Sequence, residues 1–525
     1  MNKDLRVLLI NPYFTAEQSE FIQVLSEPLG LISLATYVEQ ESQGKFAVAI
    51  LDLYALGYDQ VQLHANGRQT TGLSDAREIR RRIADWRPDV VGIHCNFTGY
   101  AEDAFQIAGL VKQADPQIKL ILGGAHASYA WQKILNEHGE IDFIVCGEGE
   151  VTFFELLNNL SAGHNPAEVR GIACRDGAGG ILSTPARELI ADIDRLPVPQ
   201  RKFIDMPTYL KLNKMSFPLA RKNPVATVMA SRGCPYNCIF CSTKNMWGRR
   251  WRGRSPENIV REIEGLVREY GVKEVAFYDD QFVVRKEWVA EICERVIERR
   301  FGIALSLPAG TSVWTADEPL LRKMKRAGFY RLTLPIESGN PETLKFIRKP
   351  VKLEKVTDTI HSALRLGFWT AANFIIGFPY ETRDEIMRTI RFAYDCDIDY
   401  PFFFIARPFP GAEMYDIYQK EGLLKDEAGT SSSVFIAKCD TLHLSAQELM
   451  QIRDRAEKGF LPHKFFWCLN PRNFFGYVLP RFSSLEDIQY ALKIIQALFL
   501  GKHKRLSKGK RETESPDACT TNETY

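Results

Sequence analysis

The chain has 525 residues, 45% hydrophobic and 25% charged, which suits a folded protein of two or three domains and excludes a disordered one. Its 67 Lys and Arg nearly balance its 65 Asp and Glu, and the net charge of +2 gives the whole chain no electrostatic footprint for nucleic acid. Eleven irregularly spaced cysteines are too few for a disulfide framework at this length, so a tight cysteine group reads as a metal site.

The opening Met1-Asn2-Lys3-Asp4-Leu5-Arg6 lacks the regions of a signal peptide, and no apolar run is long enough to span a bilayer as a helix. A cytosolic (cytoplasmic) location is expected. Short apolar runs at Val7–Ile10, Val48–Leu53, Val90–His94, Lys119–Leu122 and Phe143–Val145 then alternate with helical patterns. One of these carries Ile79, Ile83 and Trp86 after a Ser74 cap; others run over Ala101–Lys112 and Glu150–Leu160. The alternation predicts an α/β, doubly wound, Rossmann/flavodoxin-like domain over residues 1–165.

Polar and glycine residues follow these strands: Asn11-Pro12, Asn96 and Thr98, Gly123-Gly124, and Gly147-Glu148-Gly149-Glu150. In open α/β sheets the carboxyl ends of the strands form the ligand crevice. Any one pair could be a tight turn, but several in register favour a site.

Residues 166–224 read as a hairpin around Gly177-Ala178-Gly179-Gly180 followed by a Leu196-Pro197-Val198-Pro199 linker. A second domain, 225–445, opens on the strand Val225–Met229, a cysteine cluster, and a helix capped by Ser255 with Pro256 in its first turn and Ile259, Ile263, Leu266 and Tyr270 on one face. Further strands at Glu274–Tyr278, Ile303–Leu307, Arg331–Pro335, Ala372–Ile376 and Pro401–Ile405 complete about six units, a partial (β/α)6 TIM-type barrel. Residues 446–506 form a helical C-terminal region, with a helix around Ala446–Phe460 and an aromatic-rich stretch from Phe465 to Tyr477. Ile488–Leu500 with Lys502-His503-Lys504-Arg505 reads as a packed terminal helix with a solvated basic end, peripheral membrane contact being the alternative. The polar tail 507–525 is expected to be disordered.

The strongest chemical signal is Cys234-Pro235-Tyr236-Asn237-Cys238-Ile239-Phe240-Cys241, three thiolates in eight residues directly after a candidate barrel strand. Soft thiolates at this spacing select zinc or an iron–sulfur cluster. A structural zinc site wants four protein ligands, whereas Cys293, the nearest other cysteine, falls inside a helical pattern of another unit.

This motif resembles the cluster motif of the radical S-adenosylmethionine (SAM) superfamily, whose open iron is chelated by SAM, and the likeness runs from Val225 to Leu444. It implies a 4Fe-4S cluster on Cys234, Cys238 and Cys241. It also implies SAM contacts from Asp279 and Asp280 in Tyr278-Asp279-Asp280, and from Glu337 and Ser338 in Ile336-Glu337-Ser338-Gly339. Gly377 in Ile375-Ile376-Gly377-Phe378-Pro379, ahead of Glu381-Thr382, would lie against the adenine together with Phe240.

Residues Leu5 to about Leu160 resemble the cobalamin-binding domain that precedes radical SAM cores of the anaerobic magnesium-protoporphyrin ester cyclase and hopanoid methylase type. Pro28-Leu29-Gly30-Leu31, Gly123-Gly124-Ala125-His126 and Gly147-Glu148-Gly149-Glu150 carry the likeness. It implies cobalamin contacts from Asn96, Thr98, Gly123, Gly124, His126, Glu148, Gly149 and Glu150. Domains of this kind that supply a histidine to cobalt use Asp-x-His-x-x-Gly, but Asp52-Leu53-Tyr54-Ala55-Leu56-Gly57 places tyrosine in that slot. A neutral phenol is a poor cobalt ligand, so Tyr54 is expected to pack, leaving His126 as the histidine to watch.

The resemblance implies a cobalamin-dependent C-methyltransferase acting on an unactivated carbon of a small or apolar substrate, with a flavodoxin or ferredoxin as electron donor. A radical SAM cyclase or rearrangement enzyme of the same architecture is the alternative, and a non-catalytic metal-binding protein a distant one.

Overall fold

The computed structural model describes residues 4–17, 26–176, 179–216, 220–310, 312, 315–424 and 434–496. Gly177, Ala178, the cationic run at 502–505 and the tail lie outside the described residues.

The strand Arg6–Asn11 buries four consecutive apolar residues, the pattern of a parallel strand covered on both faces. It sits within a seven-stranded sheet of order Ile181–Ser183, Ile172–Arg175, Phe143–Val145, Lys119–Gly123, Val90–His94, Arg6–Asn11, Ala47–Asp52. The five from Phe143–Val145 onward are mutually parallel, and the expected hairpin extends one edge in antiparallel register. From Arg6–Asn11 the chain first steps outward to Ala47–Asp52, then returns to the other side at Val90–His94. That reversal of direction opens a crevice between the carboxyl ends of two neighbouring strands.

The helix Ala76–Trp86 is capped by Asp75, not by Ser74 as the sequence suggested. The Asp75 carboxylate accepts from the Arg77 and Glu78 amides, both at 2.9 Å, whereas Ser74 turns its hydroxyl to Gln62. A small antiparallel sheet of Phe14–Glu17, Arg68–Thr71 and Val61–Leu63 was not anticipated. It is tied to the larger sheet's helical layer where Asp103 accepts from the Thr15 amide at 2.8 Å.

The second sheet has six strands, all parallel and in chain order: Val225–Val228, Glu274–Phe277, Ala304–Leu307, Phe329–Glu337, Trp369–Ile376, Tyr400–Ile405. Its first and last strands do not pair, so the barrel is open along one side. Helices cover its outer face, with Ile259, Ile263, Val289, Leu321, Ile360 and Ile390 buried in one continuous core. The helix Ala446–Leu469, started by a Ser445–Glu448 capping box, lies on the last strand through Arg453, whose Nε donates to the Phe403 carbonyl at 3.0 Å. No helix among the described residues is long and apolar enough to cross a membrane.

Candidate functional site: two spaces at facing strand ends

The cysteine loop follows the first barrel strand. Ser231–Arg232 pairs with Arg252–Gly253 in a two-stranded ladder that sets the base of the loop. Gly233 then turns at φ 86°, where a Cβ would lie 2.5 Å from the Arg250 carbonyl, so only glycine fits without displacement. Ile239 fastens the middle of the loop on both sides, its amide donating to Ile347 at 3.2 Å and its carbonyl accepting from Met414 at 2.9 Å. Cys234, Cys238 and Cys241 are close enough to perturb one another electrostatically. Burial pushes the Cys234 thiol up to about 11 and the Cys238 thiol up to about 12, against the pull of the Lys349 ammonium.

Among the described residues no three His, Cys, Asp or Glu side chains converge as they would around one metal ion. Cys293 is fully buried in the helix Lys286–Arg299 and supplies no fourth ligand. Three soft donors on one loop therefore suit a cluster in which each thiolate takes its own iron, and do not suit a closed tetrahedral zinc site.

Beside the loop is a cavity of about 240 Å³ lined by Phe240, Glu337, Asn373, Ile375, Phe404 and Arg407, among others. Glu337 ends its strand at a register irregularity and adopts φ 71°, a left-handed conformation that costs energy in a non-glycine residue. Its carboxylate accepts from Lys349 Nζ at 2.8 Å. Burial alone would depress the Lys349 ammonium, but Glu337 and the neighbouring thiols hold it up. Phe240 lies 6.1 Å from Phe378 between ring centroids. Gly377, at φ 84°, donates its amide to Glu381 at 2.7 Å and accepts from the Tyr418 hydroxyl at 3.0 Å. Ser338 is fully buried and shares a 2.8 Å hydrogen bond with Thr389, away from this cavity.

The two aspartates after the second barrel strand part company. Asp279 turns inward and accepts from Ser231 Oγ at 2.5 Å and from the Ala230 amide at 3.2 Å; burial raises its carboxyl to about 7. Asp280 sits at the cysteine loop, accepting from the Gly233 amide and acting electrostatically on Cys234, with burial again raising its carboxyl.

A larger cavity of about 520 Å³ opens at the crevice of the first sheet. Asn11, His94, Asn96, Gly123, Gly124, Gly149 and Glu150 contribute to one wall, while Met229, Ser231, Arg232 and Tyr278, from the strand ends of the second sheet, contribute to the other. Gly124 is at φ 126°, where a Cβ would approach the Cys95 carbonyl to 2.6 Å; Gly123 has open space where a Cβ would be. Asn96 fixes this turn by accepting from the Ala125 amide at 2.9 Å.

Thr98, His126 and Glu148 do not line this cavity. His126 Nδ1 is bound to Thr98 Oγ1 at 3.0 Å. The sequence reading missed His94, which does line the cavity, its Nδ1 3.4 Å from Asn11 Oδ1 and its ring held neutral by burial, with a pKa lowered to about 4. No spacing in the sequence sets it apart, since every residue from Gly92 to Phe97 contributes to the cavity wall. Tyr54 also borders the cavity, 6.0 Å from Phe14 between ring centroids, and Asp52 beside it is occupied by Tyr209, Asn11 and the Ala55 amide.

Glu148 and Glu150 join the two sheets. Arg252 Nη1 donates to both Glu148 oxygens at 2.9 and 2.8 Å, Arg232 Nη1 reaches Glu148 Oε1 at 2.9 Å, and Arg232 Nη2 reaches Glu150 Oε1 at 2.5 Å. Burial alone would raise the Glu150 carboxyl, but the Arg232 guanidinium outweighs it and holds the group below the usual carboxylate range.

Residues 228–393 match the family model of the radical SAM superfamily, and residues 23–157 match that of the B12 binding domain. The chain belongs to the radical SAM superfamily, in the family of cobalamin-dependent radical SAM methyltransferases, and carries a B12-binding domain ahead of its radical SAM domain. It is 33% identical over 422 residues to the uncharacterized methyltransferase PH0819 of Pyrococcus horikoshii, covering 80% of this chain and 85% of that one. It is 30% identical over 451 residues to cytidylyl-2-hydroxyethylphosphonate methyltransferase of Streptomyces wedmorensis, covering 80% and 83%. In fold it is similar to the radical SAM methyltransferase TsrM of Kitasatospora setae, solved with cobalamin and a [4Fe-4S] cluster: TM-score 0.65, 18% identity, 86% of this chain and 85% of that one. The cofactors are a 4Fe-4S cluster, SAM and cobalamin, and the donor set of the cysteine loop and the glycine-walled crevice fit them.

Proposed function

We propose that the protein moves a methyl group from SAM to an unactivated carbon of a small or apolar substrate, and that it does so in the space where its two sheets face each other. The observation that carries this reading is the 520 Å³ cavity, whose walls come from the strand ends of both sheets and include Arg232, two residues before the first cysteine of the cluster motif. When bound, the cluster and SAM supply an adenosyl radical and cobalamin supplies a methyl carrier.

The chain's own residues hold and orient these groups. Cys234, Cys238 and Cys241 bind the cluster. Asp280, at the edge of the loop, accepts from the ammonium of SAM; Glu337, steadied by Lys349, accepts from its hydroxyl groups; Phe240 and the Gly377 turn take its adenine. Asp279 and Ser338 position these groups from behind. Asn96, Gly123, Gly124, Gly149 and Glu150 face cobalamin, while Thr98, His126 and Glu148 brace the turns that carry them. Tyr400, Phe402 and Phe404 occupy alternate positions of the last strand on the side opposite the core residue Phe403, remain half-buried, and offer an apolar surface to the substrate.

Anaerobic reconstitution with SAM and cobalamin, followed by product analysis against cell extracts, tests the reaction class. S-adenosylhomocysteine and 5'-deoxyadenosine in equal amounts are expected. Deoxyadenosine without S-adenosylhomocysteine would replace methyl transfer by cyclisation or rearrangement.

Asp280→Asn is expected to weaken SAM binding by about tenfold, as for loss of one charge-assisted hydrogen bond, with iron content unchanged. Asp279→Asn should act on stability and leave SAM affinity within about twofold, because its carboxyl is enclosed by Ala230 and Ser231. Calorimetry on the two variants separates the roles, and the opposite pattern would reverse the assignment. His126→Ala should leave cobalamin retention and the paramagnetic resonance of its cobalt(II) form unchanged; an altered spectrum would return His126 to the cavity.

A further inference from the structure

The C-terminal region presents an apolar face that the reaction does not use. Phe465, Phe466 and Leu469 near the end of the helix Ala446–Leu469 are 60%, 69% and 61% exposed, and Phe475 in the next turn is 66% exposed. The helix over 485–496 is inverted relative to an ordinary surface helix. It buries Asp487 and Tyr490, the latter edge-on to Tyr330 and Trp369, while Leu485, Ile488, Leu492 and Ile495 are 46–77% exposed. Their spacing of three, four and three residues puts these four on one face. Scattered exposed leucines need no explanation, but a continuous stripe of large apolar side chains marks an interaction surface.

Charge identifies the occupant. The sequence that follows this helix, 501–511, holds six Lys and Arg and no Asp or Glu, the acidic residues resuming at Glu512. Exposed aliphatic and aromatic side chains followed in sequence by a cationic run match a bilayer interface, where rings sit at the headgroup level and Lys and Arg meet anionic headgroups. We propose that the exposed apolar face of residues 485–495 docks the enzyme on the surface of an anionic lipid bilayer, with the exposed aromatic residues between 465 and 475 adding to the contact.

The test is co-sedimentation of the reconstituted, full-length protein with vesicles of phosphatidylcholine alone and of phosphatidylcholine mixed with phosphatidylglycerol. Binding is expected to the mixed vesicles and to be lost at high salt. The double variant Ile488→Asp/Leu492→Asp and a variant with Lys502, Lys504 and Arg505 changed to Ser should each bind at least about tenfold more weakly. Both should keep SAM cleavage, which shows that the fold is retained, since none of these residues belongs to either cavity. Absence of vesicle binding by the unaltered protein overturns the proposal. So does a dimer, seen by sedimentation velocity, that the aspartate variant dissociates, because the face is then the contact between two copies.

Discussion

Replacing Cys234, Cys238 or Cys241 by alanine, one at a time, is expected to remove cluster iron and reduce SAM cleavage below detection while leaving the protein folded. The loop does not depend on these thiols for its shape. Gly233 sets its entry, the ladder of Ser231–Arg232 with Arg252–Gly253 sets its base, and Ile239 pins its middle to Ile347 and Met414. Cys234 and Cys241 are only half-buried, so truncation there creates little cavity. Loss of function without loss of fold is therefore the signature. Cys293 and Cys396 are the controls: both are enclosed in the barrel's hydrophobic core, and their alanine variants should keep full iron content. Iron analysis, the visible absorption of the cluster and deoxyadenosine formation together decide the matter. A fully active variant at any of the three motif positions would refute the cluster assignment.

Glu148→Ala is expected to cost about 3–5 kcal/mol, the range for removing one partner of a buried ion pair. Glu148 is 6% exposed and pairs with two guanidinium groups at once, Arg252 being 4% exposed. Removing it leaves those charges buried with Glu150 and the Ile190 carbonyl as their remaining acceptors. Denaturant unfolding should show the loss, and limited proteolysis should show the two sheets coming apart before either unfolds. A variant with an unchanged midpoint would mean that water reaches these arginines.

Much of this was legible in the sequence because parallel strands buried on both faces stand out as apolar runs. All eleven strands read from such runs occur, two with the expected bounds and the others with an end shifted by one to three residues. The small sheet around Phe14–Glu17 was not legible, since its strands are short and Val61–Leu63 is wholly exposed. At the site, motif spacing identified the cysteine loop, but it could not say which way Asp279 and Asp280 turn, because that depends on Ser231 and Ala230 reaching one of them first. His126 drew notice by following a glycine pair, whereas His94 was hidden at the end of a strand and became visible only when the opposite wall was in place. The roles of Glu148 and Glu150 were hidden for the same reason: their partners Arg232 and Arg252 are more than 80 residues away.

Arg232 pairs with both glutamates and sits on the short ladder at the base of the cysteine loop, two residues ahead of Cys234. Any breathing motion that separates the sheets pulls on the segment that carries the first cysteine. Admission of a bulky molecule to the crevice and loosening of the cluster's grip are thus one mechanical event, and a protein trapped in its parted form should shed iron to a chelator faster than the closed one.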